Sequence, residues 1–209
     1  MSVTALVPTM KISLLAVLLE VVVEMSPMLF QRLGRIAVVF QQRFFNAYNF
    51  PVIFTRSVNV FGPGQALYRI IPRTILFFLI GKTLELHGGG NSIRSFAYIG
   101  DIVDGTFKAM KNGEPGEIFH FSTDKMVSIR ELVELIAELM GVSFNDHIKI
   151  VDDRLGKDFS YVLDDSKAKK ELEWNSKISL RKGIEKTIDW VTANLDELKK
   201  QPFNYIHKP

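Results

Sequence analysis

Thr55-Arg56-Ser57-Val58-Asn59-Val60-Phe61-Gly62-Pro63-Gly64-Gln65 is the stretch whose reading decides the fold. The residues leading into it, Pro51-Val52-Ile53-Phe54-Thr55-Arg56, read as a buried strand. The strand must break at Gly62-Pro63-Gly64, because proline fixes φ and the glycines open conformations closed to other residues. Further along comes Gly88-Gly89-Gly90-Asn91-Ser92-Ile93-Arg94-Ser95-Phe96-Ala97-Tyr98-Ile99-Gly100-Asp101. It reads as a glycine turn, an arginine entering an alternating strand, and an aspartate positioned to cap a helix.

Working outward, strands and helices alternate. Pro72 is expected at N1 of a helix carrying Ile71, Ile75, Leu76 and Leu79, stopped by Gly81. Leu84-Glu85-Leu86-His87 alternates as a strand, and so does Arg94 to Tyr98. Asp101 is expected to cap a helix carrying Ile102, Val103, Phe107 and Met110, which stops at Asn112-Gly113. Glu117 to Phe121 reads as a strand. Ser128-Ile129-Arg130-Glu131 is a capping box opening a helix that Gly141 closes. Ile148 to Val151 reads as a strand. Asp164, Asp165 and Ser166 are expected to cap the next helix, and a last helix carries Ile184, Ile188, Val191, Leu195 and Leu198. The fold class is therefore α/β. Trp174 and Trp190 read as packing residues.

Residues 1–47 stand apart. Ile12 to Val23 is apolar except for Ser13 and Glu20, which reads as a buried helix rather than a membrane span or a signal segment. Residues 27–48 carry Leu33, Ile36, Phe40, Phe44 and Tyr48 near helical spacing.

The totals exclude several classes. The chain has 209 residues, a formal net charge of +3 and no cysteine. There is thus no disulfide, thiolate metal site or cysteine nucleophile. The four histidines lack metal-ligand spacing. Lysines and arginines are interleaved with acids, which argues against a nucleic-acid stripe. A local anion site needs only two or three arginines.

The stretches 55–65 and 88–105 resemble the second half of an extended short-chain dehydrogenase/reductase of the NAD-dependent epimerase/dehydratase kind. The resemblance is greatest to the nucleotide-diphosphate-glucose 4,6-dehydratases and runs from about Asn49 to about Asn194. It implies the C-terminal part of a Rossmann-like fold with a small α/β substrate lobe, over residues 48–209. It also implies a nucleoside diphosphate sugar as ligand. Such enzymes use NAD to oxidise C4 of the sugar, rearrange it, and return the hydride.

In that family Arg94 and Arg154 would hold the diphosphate, the latter within Asp152-Asp153-Arg154-Leu155-Gly156-Lys157-Asp158. Lys157 would lie near the nucleotide. Arg69, Ile70 and Pro72 match the segment that packs on the base, and Glu85 and His87 the strand that flanks it. The family shows proline and tyrosine at those last two positions, and many relatives have asparagine where this chain has His120. Asn59 matches an asparagine near the sugar and diphosphate, or bonds local backbone at a strand end.

The family's glycine-rich dinucleotide turn and its Tyr-x-x-x-Lys pair have no counterpart here. Gly34 is the only glycine before Gly62, and Tyr48 is followed four residues later by Val52. The expectation is a chain that keeps the nucleotide-sugar half, assigns no catalytic residue, and is inactive as it stands. Its opening residues would come from a frameshift, a misplaced start or a rearrangement. The alternatives are a non-catalytic binding or oligomerisation remnant, and a 4-epimerase or decarboxylase relative. The expected setting is cytoplasmic, with a homodimer or pairing to a complete subunit.

Overall fold

The computed structural model describes residue 43, residues 45–48, 51–153, 160 and 162–204. The expectations for residues 12–23 and for most of 27–48 fall outside them; residues 45–48 are helical. Two compact units emerge, one from residues up to Arg56 together with 106–119, the other from 57–105 and 120–209.

The first unit centres on the start of β1 (Phe54–Ser57), which lies alongside β5 (Ile118–Phe121). The Phe54 amide donates to the Glu117 carbonyl at 2.8 Å, and the Gly116 amide to the Val52 carbonyl at 2.7 Å. The strand begins later than the apolar run from Pro51 suggests. Proline has no N–H to give a ladder, so Pro51–Ile53 enter as irregular chain.

The second unit contains β2 (Asn59–Phe61), β3 (Leu84–His87), β4 (Ile93–Tyr98), β6 (Met126–Ser128) and β7 (Ile148–Val151). β4 lies between β2, which it pairs in parallel, and β6, which it pairs antiparallel. β3 and β7 form a separate parallel pair. Helices α1 (Ile70–Leu79), α3 (Ile129–Met140) and α6 (Leu180–Ala193) pack on one another. Their apolar residues, including Ile75, Leu76, Leu132, Ile136 and Ile184, share one buried core with Phe61, Leu84, Leu86 and Phe96. Between these elements run α2 (Ile99–Asn112), α4 (Phe144–His147) and α5 (Ser166–Glu171), and α7 (Leu195–Leu198) ends the order.

The expected strands at 84–87 and 148–151 are observed, and β4 begins one residue before the expected Arg94. Four local expectations need correction. Pro72 is the third residue of α1, not the first; the first turn's amides lack intrahelical partners, so proline is tolerated there too. Asp101 lies inside the first turn of α2 rather than at its cap. Val103 and Phe107 follow helical spacing, yet they are 59% and 55% exposed. Asp165 occupies the N-cap position of α5 without a side-chain cap bond, while Asp164 accepts from the Ser166 amide at 2.9 Å.

The capping box forms as read. Ser128 Oγ accepts from the Glu131 amide at 3.1 Å, and the Glu131 carboxylate accepts from the Ser128 amide at 2.7 Å. Those bonds from Ser128, backbone first, hold the Glu131 carboxyl below its ordinary range. A depressed folded pKa contributes stability above the unfolded value, lost as pH falls through the folded one. Ser128→Ala is expected to lower stability by about 1 kcal/mol. Urea unfolding between pH 3 and 7 should show the difference from wild type shrink once Glu131 is protonated. No loss of stability in Ser128→Ala at pH 7 would contradict the box.

Candidate functional site

β4 organises the site. At Ile93 it pairs with Ser128 of β6, and the same residue bridges in parallel to Ser160. A strand has two edges, so Ser160 lies on the edge that β2 takes further along. There Asn59 pairs with Phe96, and its Nδ2 donates to the Ser95 carbonyl at 3.1 Å. Asn59 is thus bound to backbone, but across the sheet rather than locally. The Ser95 hydroxyl is 2.7 Å from the Thr123 hydroxyl. Arg94, between Ile93 and Ser95, is half-buried and donates from Nη1 to the Ile93 carbonyl at 2.8 Å.

The glycine turn before β4 is clasped from two sides. Gly88, Gly89 and Gly90 have φ of +57°, +63° and +77°, a left-handed run that side chains rarely adopt. A Cβ on Gly88 would lie 2.5 Å from Asp153 Cγ, and one on Gly90 would lie 2.8 Å from the Arg130 amide nitrogen. Arg130 Nε donates to the Gly89 carbonyl at 3.1 Å. His87 Nδ1 donates to the Asp152 carbonyl at 3.1 Å, which fixes the proton on that nitrogen. The turn therefore seats Asp152 and Asp153. Arg154 and Lys157 lie outside the described residues.

The other expected residues stand on separate elements. Glu85 is exposed on β3, in register with Lys149 of β7, while His87 is half-buried opposite Val151. Arg69 is the exposed residue before α1, its guanidinium 5.4 Å from the Tyr68 ring centroid. Ile70 is half-buried and Pro72 is buried at the start of that helix.

Sequence reading missed a cleft of about 750 Å³ beside β4, walled by Asn91, Ser128, Arg130 and Ser160 with Met126 and Val162 at its apolar side. Its best sequence signal was the polar Asn91-Ser92 pair after the glycines and the helix start at Ser128. Ser160 carried none, because a single bridge has no period.

No group of three or more His, Asp or Glu among the described residues could hold a metal. No helix among them is long and apolar enough to cross a membrane. A dinucleotide cofactor needs a strand, a tight glycine turn and a helix N-terminus in immediate succession. The described residues do not fit that need. The turn at Gly88–Gly90 leads into a strand, and several residues separate the turn at Gly62–Gly64 from α1.

A family model described as GDP-mannose 4,6 dehydratase matches residues 36–187. A trifunctional UDP-glucose 4,6-dehydratase of Arabidopsis thaliana is 36% identical over 148 residues, covering 71% of this chain and 22% of the relative. The dTDP-D-glucose 4,6-dehydratase of Bos taurus is 34% identical over 165 residues, covering 77% of this chain and 46% of the relative. Among solved structures, a dTDP-glucose 4,6-dehydratase from Streptomyces venezuelae with NAD bound superposes with a TM-score of 0.74 at 28% identity, covering 77% of this chain and 49% of that one. The chain thus spans under half the length of each. The α/β fold with parallel strand pairs matches part of these Rossmann-like neighbours.

Proposed function

The chain belongs to the GDP-mannose 4,6 dehydratase family, a family of nucleotide-sugar enzymes, and we propose that it binds a nucleotide sugar by its diphosphate, with Arg94 and Arg154 as the two guanidinium forks. A diphosphate concentrates the ligand's charge, and planar forks make paired charge-assisted bonds to it. One observation carries the reading. The residues flanking the 154–159 segment are fixed on the turn and strand start that lead into Arg94: Asp153 against Gly88, and Ser160 on Ile93. Asn59 stands on the neighbouring strand. On this reading residues 48–209 form the nucleotide-sugar region. Asn59 meets the sugar end, Arg69, Ile70 and Pro72 pack on the base, Glu85 and His87 flank it, and Lys157 lies near the nucleotide. The setting is the cytoplasm, with a homodimer or a complete subunit as the candidate assembly.

The relatives' hydride chemistry is not carried over. NAD supplies oxidation and reduction of the sugar in such enzymes, and neither the sequence nor the described fold offers its phosphate cradle. Without a tyrosine-lysine pair there is also no acid/base for the sugar hydroxyl. This favours, as a second reading, a binding protein without turnover. Equilibrium dialysis against a panel of nucleotide sugars, paired with a product assay in added NAD, tests both. Binding of nucleoside diphosphates but not of free nucleosides is expected, with no 4-keto-6-deoxy product. Formation of that product would contradict the loss of turnover, and equal uptake of nucleosides would contradict the diphosphate grip.

A further inference from the structure

We propose that Arg130 is a positioning residue for the diphosphate grip: it holds the glycine turn that places Arg94 and seats Asp152 and Asp153, and it does not touch the ligand itself. The inference rests on the diphosphate reading above. The start of α3 meets the turn at three points. The Ile129 amide donates to the Ser92 carbonyl at 3.0 Å. The backbone of Gly90 runs so close that a Cβ there would lie 2.8 Å from the Arg130 amide nitrogen. Arg130 Nε donates to the Gly89 carbonyl at 3.1 Å. The first two holds come from the main chain and are open to any side chain at position 130. The third is the arginine's own.

That bond falls where the backbone is least able to hold itself. Gly89 and Gly90 have φ of +63° and +77°, and neither carries a Cβ to oppose rotation of the peptide between them. A donor on the Gly89 carbonyl fixes that peptide. The two ends of the turn then set the two sides of the grip. On one side Gly88 packs against Asp153 and His87 donates to the Asp152 carbonyl, immediately before Arg154 in the chain. On the other, Asn91, Ser92 and Ile93 lead to Arg94. The rest of the guanidinium is engaged with the protein. Its Nη1 is 3.5 Å from Glu134 Oε1, and its centre is 5.3 Å from the Phe144 ring centroid. Glu134 offsets its charge, so Arg130 serves the turn as a hydrogen-bond donor and is not a third fork.

When only a fraction of the protein keeps the competent turn, apparent affinity falls in proportion to that fraction. Losing one partly buried hydrogen bond shifts such an equilibrium by about 2- to 12-fold. Two substitutions separate the bond from the charge. Methionine is unbranched like the arginine stem but has no donor. Glutamine sets an amide nitrogen as many bonds from Cα as arginine Nε, without the charge. The test is titration of the full chain with UDP, dTDP and GDP in wild type, Arg130→Met and Arg130→Gln, with urea unfolding of each so that affinity refers to folded protein. Arg130→Met should bind about 5-fold more weakly, and Arg130→Gln should match wild type. Unchanged affinity in Arg130→Met overturns the proposal and leaves the diphosphate grip standing. Arg130→Gln as weak as Arg130→Met also overturns it, because charge at the ligand would then be what counts. If Arg130→Met does not fold, Arg130→Gln decides alone: wild-type affinity supports the proposal, and a loss of about 5-fold overturns it. Binding of none of the three nucleotides in wild type overturns the diphosphate grip as well.

Discussion

Arg94→Ala is expected to weaken nucleoside diphosphate binding by about 30-fold or more. Truncating one partner of a desolvated charge pair costs roughly 2–5 kcal/mol. Arg94 is half-buried rather than buried, so water reaches the pair and the lower end applies. Arg94→Lys should recover little of the loss, because a point charge cannot reproduce two parallel bonds from a planar fork. Displacement of a fluorescent nucleoside diphosphate measures all three proteins. Full recovery by lysine would mean the site reads charge alone.

Asp101→Ala is expected to lower unfolding free energy by about 3–5 kcal/mol. Asp101 is 5% exposed, and its Oδ2 accepts from Ser176 Oγ at 3.2 Å and from the Lys177 and Ile178 amides at 3.0 Å each. Its carbonyl accepts from Trp174 Nε1 at 2.8 Å, and Trp174 is fully buried against Phe121. Removing the carboxylate strands two amides and a hydroxyl that no other group of the loop is set to receive. The cost extends to the site. The 174–178 loop leads into α6, where Gly183 packs so closely that a Cβ would lie 2.6 Å from Phe61 Cζ. Phe61 and Tyr98 end the paired strands that carry Asn59 and Arg94. Asp101→Asn keeps an acceptor oxygen and should cost about half as much. Urea unfolding of wild type and both variants reads this out. A loss under 1 kcal/mol for Asp101→Ala would show that the carboxylate does not hold the loop.

What was legible in the sequence was local. Leu84-Glu85-Leu86-His87 shows its face by alternation, Ser128 and Glu131 declare a helix start within one turn, and Gly141 ends that helix with φ of +66°. The indole of Trp174 was read as packing and is packed. What was not legible depends on partners far along the chain. Asp101 looks like a cap because aspartate at a helix start usually is one, and its partners are 75 to 77 residues away. Spacing alone cannot say whether Val103 and Phe107 meet a neighbour. The candidate site divides the same way. Arg94 and Asn59 were singled out as candidates by motif, but the Ser160 bridge to Ile93 follows only from the strands having closed.

The most direct test is calorimetric titration of the full chain with a nucleoside diphosphate, in wild type, Arg94→Ala and Arg154→Ala. Saturable one-to-one binding in wild type, weakened about 30-fold or more in each variant, is the result expected of a two-arginine diphosphate grip. Equal affinity in all three proteins, or no binding in wild type, would contradict it.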